Sequence, residues 1–150
     1  MNTIATKTFI LLLAAKEPLN FIQGRKISLE DVLSQGNRKE FHHIFPKAYL
    51  KHGLKEYSDN QINCLANFCI LSRTENNKIK DRPPSEYISE ISKDEQEKIL
   101  ESHFCFEVLN ELLNNDFESF LDKRASLLCK RARELSQLPQ LKSEKGKRTS

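Results

Sequence analysis

The sequence predicts an α+β domain: a small core of strand, long loop, strand and helix, set among helices at both ends. Three observations predict it. A short run at 40–44 is bounded by a loop and by Pro46, which removes a ladder donor and so ends a strand. A second apolar run at 67–72 leads into Ser72 with Glu75 three residues on, the capping-box pattern that starts a helix. From Asp94 onward the apolar residues recur at helical spacing.

Thr6 or Thr8 is a candidate cap for an opening helix that runs to about Lys16, and Pro18 stops it. Its apolar stretch, 9–15, is too short to span a bilayer, and Lys16-Glu17-Pro18 interrupts any signal-peptide pattern. It reads as a buried helix, whose partner surface comes from this domain or from an N-terminal companion domain or subunit. Residues 20–26 read as a turn that uses the freedom of Gly24. A short helix is expected over 28–34, with an exit at Gly36-Asn37.

Residues 47–66 look irregular apart from a turn of helix at 48–51, and a loop of that length is usually functional or disordered. The helix after Ser72 should end before Pro83-Pro84. One apolar stripe runs through Ile99, Phe106, Leu109, Leu112 and Leu113, a second through Phe117, Phe120, Leu121, Leu128, Ala132 and Leu135, with Asn114-Asn115-Asp116 between them. Two antiparallel helices over about 94–136 are the natural result. The domain is read as 1–138, with its core at about 40–82; 139–150 is read as a disordered basic tail.

A chain of 150 residues with 38% apolar content holds one compact domain rather than two. Its formal charge of +3 does not identify a nucleic-acid binder, because clustering matters more than the sum. Basic residues do cluster at 78–82 and 142–148, and acids at 94–118. Cys64, Cys69, Cys105 and Cys129 are too few and too irregular for a secreted disulfide scaffold, and no Cys-x-x-Cys pair is present for a structural zinc. They read as reduced, mostly buried thiols in a cytoplasmic protein.

The chemistry concentrates in His42-His43-Ile44-Phe45-Pro46, in Asn67 at the head of the second apolar run, and in Asn76-Asn77-Lys78. In this order these residues resemble the HNH nucleases, the ββα-metal finger family, over residues 40–87, whose hydrolysis of phosphodiesters needs an activated water, neutralisation of charge on the phosphate and a stabilised leaving oxygen. The flanks, from about 9 to 135, resemble the C-terminal HNH module of GmrSD-type modification-dependent restriction enzymes. The shared phrases are the Phe-Ile-x-Gly turn at Phe21, His-His-Ile-Phe-Pro-Lys from His42, and Pro-Pro-Ser-Glu-Tyr from Pro83.

The resemblance implies a ββα-metal finger core embedded among N- and C-terminal helices, and a metal-dependent endonuclease acting on double-stranded DNA in restriction of foreign DNA. His43 matches the family's general base, since an imidazole titrating near neutrality can take a proton from water. His42 and Asn77 match the two protein ligands of one divalent metal ion. Mg²⁺ suits such a hydrated site, and a histidine at 42 also admits Mn²⁺, Ni²⁺ or Zn²⁺. Asn76 is the alternative to Asn77, because one residue of helix register would exchange them. Asn67 matches the central asparagine, expected to tie down the loop and so orient His43.

Lys78, Lys80 and Arg82, with Lys47 on the opposite side, are candidates for holding the DNA backbone. A solvated helix end is the plainer account of the first three. His52 and His103 lie outside the pattern and read as surface or packing residues, and Arg124, Lys130 and Arg131 as charges facing water, with a DNA-facing strip as the alternative. Successive strand residues point to opposite faces, so His42 and His43 can serve one phosphate only if the strand bends or ends there. Two rivals stand beside the nuclease: a DNA-binding module with a spent site, and an end-domain that docks on a partner. Ribonuclease activity is the rival within the enzyme class.

Overall fold

The computed structural model describes residues 3–28, 41–53 and 55–137. Within them the protein is α+β, helix-rich with one two-stranded antiparallel sheet. The expected short helix at 28–34 and the basic tail lie outside the described residues.

Helix α1 (Ile4–Ala15) starts earlier than the sequence suggests, because Thr3 is its cap and accepts from the Thr6 amide at 3.2 Å. It buries Phe9, Leu12 and Leu13 against Phe104 and Leu128, so this chain supplies much of the partner surface that the apolar run demands. Ile4 and Leu11 face outward, 85% and 63% exposed. The turn that follows closes with Asn20 donating to the Arg25 carbonyl at 2.9 Å. Gly24 sits at φ 62, and a Cβ there would come within 3.3 Å of a Glu95 carboxylate oxygen. Both facts favour glycine.

Strands β1 (Phe41–His43) and β2 (Phe68–Ile70) pair antiparallel, with His42 opposite Cys69 and His43 opposite Phe68. Strand β2 is buried along its whole length. Phe68 and Ile70 pack with α1, and Cys69 packs in the other apolar cluster, with Ile44, Phe45, Tyr87 and Phe120. The segment between the strands is not irregular as expected. It holds α2 (Lys47–His52), α3 (Asp59–Ile62) and a 3-10 turn at Leu65–Asn67. A complete capping box, Ser58 with Gln61, starts α3.

Helix α4 (Arg73–Ile79) starts at Ser72, whose hydroxyl accepts from the Glu75 amide. Only half of the expected capping box forms. The Glu75 carboxylate instead accepts from the amides of Ile22 at 2.6 Å and Gln23 at 3.2 Å, while the Ser72 amide donates to the Asn20 side chain. The early turn therefore latches the start of α4. Lys80, at φ 53, ends that helix. Pro83-Pro84, read as a stop, also opens a helix, α5 (Pro84–Ser89), because Pro84 takes a first-turn position where a missing amide costs nothing.

The two long helices expected over 94–136 are α6 (Lys93–Glu101), a 3-10 turn at Phe106–Val108, α7 (Leu109–Leu113) and α8 (Phe117–Ser136). The first breaks where Phe104, at φ 54, turns inward to the α1 cluster. Leu113 and Leu135, assigned to the apolar stripes, are exposed. The cysteines are free, as expected, but only Cys69 and Cys105 are buried; Cys129 is exposed. Among the described residues no helix is long and apolar enough to cross a membrane.

His103 is a packing residue, fully buried with its ring 4.6 Å from that of Phe21 and its Nε2–H donating to the Leu19 carbonyl at 2.6 Å. Burial pulls its pKa down from 6.5 to about 4, partly opposed by the bond to Leu19. The unfolded chain therefore binds this proton at a higher pH than the folded one, and stability present above pH 6.5 is lost as pH falls towards 4. Between about pH 7.5 and about pH 4.5, denaturant unfolding of the wild type should lose about 2–3 kcal/mol more than that of His103→Gln. Equal losses in the two proteins would refute this account.

Candidate active site

The chain leaves β1 at His43 and bends at Ile44 and Phe45, so two successive imidazoles reach one cleft despite the alternation of a strand. The cleft has a volume of about 400 Å³. His42, His43 and Lys47 line one side, and Asn76, Lys80 and Asp81 come from the end of α4.

Asn67 holds the bend in place. It is fully buried, and its side-chain oxygen accepts from the Phe45 amide at 2.9 Å. Its side-chain nitrogen donates to the carbonyls of Phe45 at 3.2 Å and Ile62 at 3.0 Å, and its own carbonyl accepts from the Ile44 amide at 2.8 Å. One side chain thus ties both ends of the 45–62 segment that follows the histidines. Tyr87 adds a second tie from α5, donating to the Ile44 carbonyl at 2.6 Å.

The His43 ring lies 4.4 Å from that of Phe68, and its Nε2 is 3.1 Å from the Asn63 side-chain oxygen. Burial lowers the pKa of His43 below the ordinary 6.5; the bond to Asn63 offsets part of this, and the positive charge of Lys47 adds to the lowering. This shift favours the neutral imidazole, the form able to accept a proton.

Helix register separates the two asparagines. Glu75 and Ile79, one turn apart, are the buried residues of α4. At about 100° per residue, Asn76 lies on the flank of that buried line and Asn77 on the far side. Asn76 is half-buried and lines the cleft; Asn77 is exposed and does not.

The cations divide similarly. Lys80 and Lys47 line the cleft, although Lys47 also lies 3.7 Å from Asp59. Arg82 is paired with Glu90 and donates to the Lys78 carbonyl, and Lys78 is exposed outside the cleft lining. His52 is exposed. Arg124, expected to face water, is fully buried behind β2. Among the described residues no cluster of three or more His, Cys, Asp or Glu side chains is placed to hold a metal ion.

The chain has a relative among curated proteins. It is 30% identical, over 121 residues, to an uncharacterized protein of Methanocaldococcus jannaschii, in a match that covers 64% of this chain and 20% of that one. The chain thus spans about a fifth of the length of the curated relative it matches. No activity comes with that likeness. No family model matches the chain, and no solved structure matches it.

Asn63 beside the cleft and Asp81 in its lining are what sequence reasoning missed, and of the two asparagines it weighed Asn76 is the one that lines the cleft. The Ser58-x-x-Gln61 signature marked α3, and with it the place of Asn63 at the end of that helix. Asp81 carried no comparable signal.

Proposed function

We propose that the chain is a metal-dependent endonuclease of the ββα-metal, HNH type, which hydrolyses DNA phosphodiester bonds. The observation that carries this reading is one cleft that gathers a half-buried histidine, a second imidazole, a helix-borne amide and two lysines. The order strand, strand, helix behind it agrees with the resemblance in the sequence.

His42 and Asn76 are the donors that would hold one divalent ion. An imidazole nitrogen and an amide oxygen suit a largely hydrated Mg²⁺, or Mn²⁺, Ni²⁺ or Zn²⁺, with the remaining positions left to water and phosphate oxygens. That donor set needs no third histidine, cysteine or carboxylate, although the Asp81 carboxylate also lines the cleft. A bound ion supplies charge stabilisation for the phosphate and the leaving oxygen. His43 takes the proton of the attacking water. Asn67 fixes the bend that presents His43, and Lys47 and Lys80 hold the DNA backbone from opposite walls. Lys78 and Arg82 are secondary in this arrangement, Arg82 because Glu90 engages it. The setting would be the cytoplasm and the role restriction of foreign DNA, both on the strength of the resemblance.

The test is nicking of a supercoiled plasmid with Mg²⁺, Mn²⁺ or EDTA. Cleavage should appear with metal and vanish with EDTA. Asn76→Ala should lower it at least about 10-fold, partly recovered at higher metal concentration, while Asn77→Ala stays near wild type. A wild-type chain that binds DNA but never nicks it would leave the rival with a spent site. Loss in Asn77→Ala alone would reverse the ligand assignment. The exposed Ile4 and Leu11 favour an added docking role for α1 on a companion domain. A monodisperse monomer in size exclusion that binds no hydrophobe-sensing dye would remove that role.

A further inference from the structure

We infer that Asn63 is a positioning residue that fixes the His43 ring as its Nε2–H tautomer and leaves Nδ1 as the basic nitrogen. The inference rests on the nuclease reading for its catalytic meaning, and on geometry alone for the state of the ring.

The direction of the Asn63 amide is settled by its other end. Its Nδ2 donates to the Asp59 carbonyl at 2.8 Å, a bond only the nitrogen can make, because two oxygens would repel there. Its Oδ1 is then the atom 3.1 Å from His43 Nε2. An amide oxygen only accepts, so the proton of a neutral ring must sit on Nε2. Nδ1 keeps its lone pair. The Phe68 ring, 4.4 Å away, restrains the imidazole against turning over.

The support extends outward from Asn63. It caps the end of α3, a four-residue helix whose start is fixed by the Ser58–Gln61 box. Asp59, whose carbonyl anchors the amide, carries a carboxylate 3.4 Å from Lys51 of α2. The 3-10 turn that follows ends at Asn67, so the segment that ties down the bend also carries the group that orients the ring. A general base held in one tautomer presents the same lone pair to every substrate; a ring free to choose would present it part of the time.

Two variants separate this from a structural role. Asn63 is exposed, so substitution there should spare the fold. Asn63→Leu removes the acceptor, and Asn63→Gln keeps an amide with both acceptor and donor. Long-range ¹H–¹⁵N spectra of histidine-labelled protein, free of metal and DNA, should show His43 Nε2 as protonated and Nδ1 as lone-pair nitrogen in the wild type and in Asn63→Gln. In Asn63→Leu the two signals should move towards an average of both tautomers. In nicking assays, Asn63→Leu should lower kcat about 10- to 100-fold with KM for DNA unchanged, and Asn63→Gln should restore much of it.

A wild-type spectrum with the proton on Nδ1, or one that Asn63→Leu leaves unchanged, overturns the inference whatever the protein does to DNA. So does an Asn63→Leu enzyme with wild-type kcat. A wild-type chain that cuts no DNA fails the nuclease reading in its own control lane, and the spectra still decide the ring.

Discussion

On the nuclease reading, His43→Ala should lower metal-dependent nicking by about 10²- to 10⁴-fold, the range lost with a positioned general base, while leaving DNA binding and the melting transition close to wild type. The expectation follows from what the side chain touches. His43 is half-buried at the end of β1, against Phe68 and Asn63, and the bend beside it is held by Asn67 and Tyr87. Removing the imidazole takes away the proposed proton acceptor and one ring contact, but none of those ties. Binding should persist because Lys47 and Lys80 remain on the cleft walls. The assay pairs single-turnover nicking with a DNA-binding isotherm for the same protein. Unchanged nicking would remove His43 from the reaction. Lost binding and a lowered melting point would instead make it a structural residue.

The second large effect lies behind the cleft. Arg124 of α8 is 0% exposed, and its guanidinium donates to the carbonyls of Ala66 at 2.5 Å, Phe68 at 2.8 Å and His103 at 2.8 Å. Three main-chain oxygens from two distant segments converge on one side chain, a fan of acceptors that a planar fork of donors can satisfy together. Arg124→Met keeps much of the packing volume and abandons all three oxygens in a buried setting, so unfolding should become easier by about 3–5 kcal/mol. Arg124→Lys should recover little, since an ammonium on a flexible stem does not reproduce the fork. Denaturant unfolding of the three proteins checks this. An Arg124→Met protein within about 1 kcal/mol of wild type would show that the carbonyls find other partners. Because Ala66 and Phe68 flank Asn67, a surviving variant should also cut more slowly.

The sequence made the front of the cleft readable and left its back obscure. The histidine pair and Asn67 as the tie were readable through the resemblance, while the end of β1 and the Ser72 helix start depend on short-range patterns: a proline stop and a capping signature. What depended on contacts across the chain was harder to see. Asn76 and Asn77 have the same chemistry, and only the burial of Glu75 and Ile79 says which one faces β1. Glu75 itself suggested a capping box, yet the amides of the early turn compete for its carboxylate and win. Arg124 did leave a trace: it sits in register with Phe117, Phe120 and Leu128 on the buried stripe of α8, where a charge should have raised the question of what neutralises or solvates it. The break at Phe104 had no local signal, since neither glycine nor proline marks it.

Lys80 illustrates a conflict of interest within one residue. A side chain at φ 53 and ψ −120 holds a backbone shape that suits glycine, at a cost of about 1–3 kcal/mol for any other residue. The same residue, where the chain leaves α4, lines the cleft that His42 and His43 share. Glycine would relieve the main chain and forfeit the positive charge. On the nuclease reading, a sequence optimised only for robustness would discard the very group that greets a phosphate.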